Sequence, residues 1–369
     1  MTRYRIPFMS LVPGEDAADV RQAIERVIDR GWFILGPEVS AFEQEFAAAS
    51  GAAHAVGVGT GTDAIALILR ALGIGAGDEV ITSPLSAAYS ALAIMMAGAR
   101  PVFADIDPQR GTIDPDRIAE RVGPRTRAIL PVHLYGQPAD MAAIGRVAER
   151  HSLAIVEDCC QAHLATSGGR PVGTIGIAGA FSFYPTKNLG ALGDAGAVVT
   201  NDAALADRVK RLRNGGQSDR YHHQEPGFNS RLDDIQAAVL RARLPRLHGW
   251  TARRRALAAR YRRGLTGAPV EALAERDAGH VYHLFVVRTP ERDALRAHLA
   301  ASGIETLIHY PVAIPRQPAL AAQSPAECPV AVRMCGEILS VPLHPALRDE
   351  EADEIAAAVH AFQPRTMVS

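Results

Sequence analysis

The sequence predicts an α/β fold in which a mostly parallel, seven-stranded sheet lies between helices and is followed by a smaller C-terminal α+β domain. Seven short apolar segments alternate with helical patterns between residues 54 and 200. Strands that alternate with helices form parallel sheets covered on both faces. A long helical pattern then leads into a mixed tail, and 369 residues suffice for a large and a small domain.

The predicted domain boundary lies near residue 245, which assigns residues 1–245 to the large domain and residues 246–369 to the small one. Two amphipathic helices, at Asp16–Arg30 and Pro37–Ala49, precede the alternating region. The predicted strands of that region are His54–Val58, Glu79–Thr82, Pro101–Ala104, Ala128–Val132, Leu153–Val156, Ala180–Phe183 and Gly196–Thr200. The predicted helices are Ala64–Leu72, Ala88–Ala97, Pro115–Val122, Met141–Arg150 and Ala203–Leu212.

The rest of the chain begins with a polar, glycine-rich loop at Asn214–Ser230. A long helical pattern follows at Leu232–Arg263, and Pro245 perturbs it because proline removes a backbone donor. The tail is expected to contain strands at His283–Arg288 and Glu305–His309 and helices at Arg292–Ser302, Val330–Leu339 and Asp349–Phe362.

Composition argues against several classes of protein. The net charge of -1 and the pI of about 6.9 do not favour binding to nucleic acid or to a membrane surface. The N-terminus lacks the apolar core of a signal peptide, and no apolar run is long enough to span a bilayer. We therefore expect a cytoplasmic protein without a metal site, whose four cysteines are reduced: Cys159, Cys160, Cys328 and Cys335.

Lysine usage marks one residue as chemically special. Of the 39 basic residues only Lys187 and Lys210 are lysines, so charge alone does not explain why Lys187 is not an arginine. A lysine amine with a lowered pKa becomes a nucleophile and forms a Schiff base with a carbonyl, which a guanidinium cannot do. Lys187 follows a short aromatic strand and precedes small residues and glycines. An ordinary loop lysine is the alternative.

Three further pieces carry groups that suit one cofactor. At Gly59–Leu69 a turn and a helix N-terminus can bind a phosphate, although Thr62 and Asp63 can equally be helix caps. Asp158 follows a buried strand and can pair with a cationic heterocycle or simply be solvated. Gln161 can donate to a ring oxygen, and Ser182 can help to hold a phosphate. Together with Lys187 these groups match pyridoxal 5′-phosphate (PLP).

The chain resembles the DegT-type nucleotide-sugar aminotransferases, which have the type I PLP-dependent transferase fold. The resemblance covers roughly residues 5–365. Two features make the resemblance specific. One is the motif around Lys187, and the other is that all the motifs occur in the order found in the family. The stretches that carry it are Gly61–Ala64, Pro131–Met141, Glu157–Asp158 with Gln161–His163, Phe181–Gly196, Asn229–Asp233 with Gln236–Ala238, and Ile308–Pro311.

The resemblance implies a role for each matching residue. Lys187 would be the Schiff-base lysine and proton shuttle, Asp158 would pair with the pyridinium nitrogen, and Gln161 would bind the ring hydroxyl. Asn229 would reach the cofactor of a neighbouring subunit, so that a homodimer shares its active sites. The resemblance assigns the phosphate to Thr62, to the Asp63 backbone and to Ser182, and the sugar pocket to His309 and Tyr310.

This chain departs from the family pattern beside the cofactor. Where relatives often place an aromatic residue against the ring, the chain has Ala87, so either Tyr89 stacks from a shifted position or a smaller group covers the ring. Cys159 and Cys160 replace a pair usually filled by alanines, which small apolar residues should tolerate.

The resemblance implies amination of a keto group at C3 or C4 of a dTDP- or UDP-linked 6-deoxy-ketohexose, with L-glutamate as the donor. We favour C3 of a dTDP sugar. The pathway stays open between the synthesis of lipopolysaccharide O-antigen, of a surface glycan and of an antibiotic. One alternative is an aminotransferase of the same fold that acts on a cyclitol ketone or another antibiotic intermediate. The other alternative is a PLP-binding protein without turnover.

Overall fold

The computed structural model describes residues 4–322 and 324–364. Its centre is a seven-stranded sheet with the order β1-β9-β8-β5-β4-β2-β3. Strand β9 is antiparallel to both of its neighbours, and the other adjacent pairs are parallel, which confirms the predicted sheet. These strands are β1 (His54–Val58), β2 (Glu79–Thr82), β3 (Arg100–Phe103), β4 (Thr126–Leu130), β5 (Ala154–Asp158), β8 (Ala178–Ser182) and β9 (Gly196–Thr200).

Helices cover both faces of this sheet and continue through the C-terminal part. The most deeply buried is α3, whose apolar side chains are enclosed nearly all round, as its sequence predicts. The helices are α1 (Ala17–Arg30), α2 (Pro37–Ser50), α3 (Gly61–Ala71), α4 (Tyr89–Met96), α5 (Pro115–Arg121), α6 (Met141–His151), α7 (Ala203–Leu212), α8 (Asp234–Arg243), α9 (Leu247–Gly264), α10 (Arg292–Ala301), α11 (Pro318–Ala321), α12 (Pro329–Glu337) and α13 (Asp349–His360).

A second, antiparallel sheet has the order β12-β13-β14 and packs with α9, α10 and α13 around its own apolar cluster. Ile6, near the N-terminus, also packs into this cluster and forms a bridge with Ile304. The division of the chain at residue 245 stays a prediction. The remaining strands are β6 (Thr166–Ser167), β7 (Arg170–Pro171), β10 (Gln217–Asp219), β11 (His222–His223), β12 (Glu271–Ala272), β13 (Phe285–Arg288) and β14 (Ile338–Val341).

Three predicted elements differ from the structure. Glu305–His309 is not a strand; it forms only an isolated bridge between Leu307 and Ser340. The predicted helix Val330–Leu339 ends earlier, because Ile338–Val341 pairs with β13 as a strand. The pattern at Leu232–Arg263 is divided into α8 and α9 by a 3-10 turn that contains Pro245. None of the described helices combines the length and apolar character that crossing a bilayer requires.

A buried carboxylate joins two loops next to β5. Glu157 accepts hydrogen bonds from the backbone N–H groups of Gly173, Ile175 and Gly176 at 2.9, 2.8 and 2.7 Å. His133 accepts from the Ala139 N–H through Nδ1 at 3.0 Å, so its proton lies on Nε2, which is 3.0 Å from the carboxylate. Cys159 Sγ lies near these groups, but hydrogen bonds within the protein already occupy the carboxylate and both ring nitrogens.

We predict that Glu157→Gln destabilises the fold by about 3 kcal/mol, because the amide turns two donors toward groups that are themselves donors. Chemical denaturation measures this free energy of unfolding. The matched control is Glu120→Gln, which removes an exposed ion pair with Arg117 and should change stability by less than about 1 kcal/mol. Equal effects of the two substitutions would contradict the structural role of Glu157.

Candidate active site

The candidate site lies at the edge of the central sheet where β1, β5 and β8 end. Strand β5 ends at Asp158, β8 ends at Ser182, and α3 begins at Gly61 shortly after β1. A Cβ atom on Gly61 would lie 2.6 Å from Cys160 Sγ and 2.8 Å from Ser182 Cβ. Only glycine allows this close approach, which brings three sequence-predicted pieces together.

Lys187 follows β8 in a turn, where its backbone N–H donates to the carbonyl of Tyr184 at 2.8 Å. Burial lowers the pKa of its ammonium group, while the nearby Cys160 and Asp158 act in the opposite direction. A lowered pKa increases the fraction of the neutral, nucleophilic amine. Lys210, in contrast, lies on α7 and pairs with Asp207 at 3.6 Å in an exposed position.

The carboxylate of Asp158 is buried and held by two donors. Ser90 Oγ donates to Oδ2 at 2.7 Å, and the Cys160 N–H donates to Oδ1 at 3.1 Å. Sequence reasoning missed Ser90, which lies 68 positions earlier in the chain and carries no motif. Its neighbour Tyr89 is the first residue of α4, is 64% exposed and lies close enough to Tyr310 to influence its pKa.

Gln161 and the sugar-pocket residues predicted from the resemblance form one network. Gln161 Oε1 accepts from the Tyr135 N–H at 2.7 Å, and its Nε2 donates to the Tyr310 hydroxyl at 3.0 Å. The Tyr135 hydroxyl donates to the His309 carbonyl, and His309 Nδ1 is 2.9 Å from Ser340 Oγ. Tyr135 was also missed, because a backbone donor has no sequence signature.

Burial keeps the side chains of Tyr310 and His309, which the resemblance assigns to a sugar pocket, neutral near pH 7. It raises the pKa of the Tyr310 hydroxyl to about 12. It also lowers the pKa of His309 to about 4, and the positive charge of Lys187 adds to that shift. Both residues can therefore act as hydrogen-bonding groups without carrying charge.

The start of α3 presents free backbone donors. Thr60 caps the helix by accepting from the Asp63 N–H at 3.0 Å, so this donor, which the resemblance assigns to a phosphate, is already engaged. The Asp63 carboxylate accepts from Ser230 Oγ at 2.8 Å. Among the described residues the N–H groups of Gly61 and Thr62 have no hydrogen-bond partner, so an anion at this helix end would meet them.

Two further residues of the motifs, Asn229 and His163, form no side-chain hydrogen bond within the described part of the chain. Asn229 is exposed, and its backbone forms a bridge with Asn214. His163 is fully buried against Phe181 and Phe183, and neither ring nitrogen has a hydrogen-bond partner among the described residues. Burial lowers the pKa of His163 to about 3, so its ring is neutral.

A cleft of about 1130 Å³ borders Lys187 on another side. Its walls are the N-terminal segment 9–16, the turn that holds Lys187, and α9. The cleft does not include Asp158, Gln161 or Tyr310, so it adjoins the cluster around Lys187 and is not identical with it. Its lining carries both signs of charge, and most of its arginines are paired with carboxylates. Besides Lys187, the charged residues of the lining are Glu15, Asp16, Arg243, Arg246, Arg253 and Arg254.

Comparison with known proteins gives a family and close relatives. Residues 15–360 match the model of the DegT/DnrJ/EryC1/StrS aminotransferase family. The chain is 48% identical over 367 residues to the dTDP-3-amino-3,4,6-trideoxy-alpha-D-glucose transaminase of Streptomyces venezuelae, which covers 98% of this chain and 97% of the relative.

Solved structures show the same fold. The S. venezuelae protein DesV, solved in complex with a ketimine intermediate, superposes with a TM-score of 0.94 at 49% identity, covering 97% of this chain and 98% of DesV. NtdA from Bacillus subtilis, solved with the bound cofactor PMP, gives a TM-score of 0.89 at 30% identity, covering 96% of this chain and 84% of NtdA. The predicted fold and the predicted class of enzyme, an aminotransferase, are confirmed. The chain belongs to the DegT/DnrJ/EryC1/StrS aminotransferase family.

Proposed function

We propose that this protein uses PLP to transfer an amino group from L-glutamate to the C3 keto group of a dTDP-linked 6-deoxy-ketohexose. The observation that carries the proposal is the convergence of Lys187, Asp158, Gln161 and the start of α3 at one edge of the sheet. The name of the Streptomyces venezuelae relative, a dTDP-3-amino-sugar transaminase, supports the nucleotide and the carbon.

The residues at the sheet edge fit PLP. The unpartnered N–H groups of Gly61 and Thr62, with the hydroxyl groups of Thr62 and Ser182, suit its phosphate. Asp158 suits the ring nitrogen and Gln161 the ring hydroxyl. When bound, the cofactor supplies an aldehyde carbon that accepts an amino group and a ring that withdraws electrons.

Each residue of the site then has a task that follows from its surroundings. Asp158, held in place by Ser90 and the Cys160 N–H, keeps a proton on the ring nitrogen. Lys187, whose lowered pKa makes the neutral amine accessible, would carry a proton between the α-carbon of the amino donor and the aldehyde carbon of the cofactor. Tyr89, the exposed first residue of α4 and the neighbour of Ser90, is our candidate for the group that covers the ring.

The cleft beside Lys187 supports a large anionic substrate. Its volume of about 1130 Å³ is generous for a small molecule. Arg254 is buried, and among the described residues it has no carboxylate partner and donates to the carbonyls of Tyr282, His283 and Leu343. A diphosphate would balance this charge. Arg213, which precedes the 214–231 loop, is less available to a substrate. It forms an ion pair with Glu43 and donates a hydrogen bond to the Gly57 carbonyl.

A homodimer with shared sites is part of the proposal. Trp32, Phe33 and Ile34 are exposed, and Ile34 forms a bridge with Asp233 at the start of α8. Leu192, also exposed, donates its N–H to Gln236 on the same helix. An exposed apolar patch of this kind favours a protein partner, and a second copy would bring its own Asn229 to the site.

One rival keeps the chemistry and changes the ketone, which would be a cyclitol or another antibiotic intermediate. Turnover of a free cyclitol ketone, with none of a nucleotide sugar, would select that function. A PLP-binding protein without turnover is the other rival, and it would be favoured if L-glutamate left the absorption spectrum of the loaded protein unchanged. The cytoplasmic location stays a prediction.

We predict that Lys187→Ala lowers turnover by at least about 10³-fold, because both proton transfers lose their acid and base. The visible absorption band of the PLP-loaded protein should disappear as well. Lys210→Ala is the matched control, since it removes the only other lysine, and it should keep both turnover and the band. Normal turnover of Lys187→Ala would contradict the assignment.

We predict that Asp158→Asn loses about 10²-fold or more in rate while it still binds PLP, because a neutral amide does not keep the ring nitrogen protonated. Steady-state kinetics and a cofactor-binding titration measure the two effects separately. An undiminished rate would mean that another acid serves the ring nitrogen.

We predict that mixing inactive Lys187→Ala and Asn229→Ala subunits restores about a quarter of wild-type activity. Random pairing makes half of the dimers mixed, and each mixed dimer regains one of its two sites. Activity before and after denaturing and refolding the mixture gives the answer. No recovery, with mixed dimers confirmed by mass spectrometry, would argue against a shared site.

A further inference from the structure

The amide of Gln161 is held in one orientation. A backbone N–H can only donate, so the Tyr135 N–H at 2.7 Å requires the oxygen of the amide and not its nitrogen. The nitrogen therefore points to the other side, where it lies 3.0 Å from the Tyr310 hydroxyl. Tyr135 therefore fixes which end of the amide is oxygen and which is nitrogen, although the two ends are nearly identical in shape.

Tyr135 is itself held at two points. Its hydroxyl donates to the carbonyl of His309, the residue before Tyr310. Its backbone has a φ of 60°, the left-handed region that non-glycine residues rarely adopt, within the tight turn at Leu134–Gly136. Tyr135 thus contacts Gln161 through its N–H and the segment that carries Tyr310 through its side chain, which closes a ring of contacts.

Hydrogen-bond capacity shows what remains free in this ring. The Gln161 nitrogen has two N–H donors, and Tyr310 takes one, so the second is available to a ligand. Tyr310 accepts through its oxygen and keeps its own proton for another partner. Since Tyr310 stays protonated near neutral pH, both free donors persist under ordinary conditions.

We propose that Tyr135 and Tyr310 are positioning residues that turn the nitrogen end of Gln161 toward the ring hydroxyl of the cofactor, and that Tyr310 thereby links the sugar pocket to the cofactor. The inference rests on the proposed function. An N–H donor stabilises negative charge on the ring oxygen. It therefore lowers the pKa that is read from the visible absorption band of the PLP-loaded protein. An acceptor at the same place would have the opposite effect.

The test is a pH titration of the visible absorption of the PLP-loaded protein, without substrate. Gln161→Glu places a carboxylate oxygen where the nitrogen stood, and the midpoint should rise by about one pH unit. Tyr310→Phe removes the acceptor for the Gln161 nitrogen, and the midpoint should rise by about half a unit. Tyr310→Phe should also raise the KM for the sugar.

The matched control is Tyr261→Phe. It also removes a buried hydroxyl, one that donates to the Pro342 carbonyl at 2.6 Å, but it lies in the C-terminal apolar cluster. Its midpoint should equal that of the wild type even though its stability falls. A control that shifts as far as Tyr310→Phe would overturn the inference.

The outcomes separate this inference from the proposed function. A wild-type protein that develops no visible band with PLP defeats the proposed function. A wild-type band that titrates, combined with unchanged midpoints in Gln161→Glu and Tyr310→Phe, leaves the proposed function standing and overturns the positioning role. Gln161→Met, which removes the amide without adding charge, should shift the midpoint upward by less than Gln161→Glu does.

Discussion

The four hydrogen bonds that Glu157 accepts are the constraint on which the site depends. They tie the end of β5 to the loop before α6 and to the loop before β8. Successive residues of a strand point to opposite faces, so a firmly held Glu157 fixes Asp158 on the other side. Asp158 then meets donors from α4 and from its own loop. The structural carboxylate thus orients the carboxylate that we propose for the ring nitrogen.

The large sheet could be predicted because its strands are apolar, short and regularly separated by helices. Short elements in the C-terminal part were harder, since their pairing is decided by contacts distant in sequence. Ile338–Val341 continues a helical pattern, yet it becomes a strand by pairing with β13. Glu305–His309 looks like a strand by composition, but only Leu307 forms a bridge.

The convergence of the candidate residues could be predicted where it follows from residue type and from the ends of strands, as with Lys187, Asp158 and Ser182; their roles stay a prediction. Contacts made by common residues could not. Ser90 is one serine among many, and it matters only because α4 begins over the end of β5. The capping of Asp63 by Thr60 likewise depends on where α3 starts, three residues earlier than the apolar pattern indicates. What the sequence leaves open is which donors the fold has already used.

The scarcity of lysine has a consequence for how the protein would acquire an aldehyde cofactor. Aldehydes condense reversibly with any accessible amine, and a lysine-rich surface would hold much of the reagent in unproductive adducts. Here Lys210 is the only lysine besides Lys187, and its ammonium pairs with Asp207. All the other residues in the Lys and Arg total are arginines, and a guanidinium does not compete for an aldehyde under mild conditions. The chain therefore offers few lysine amines that compete with Lys187 for an aldehyde.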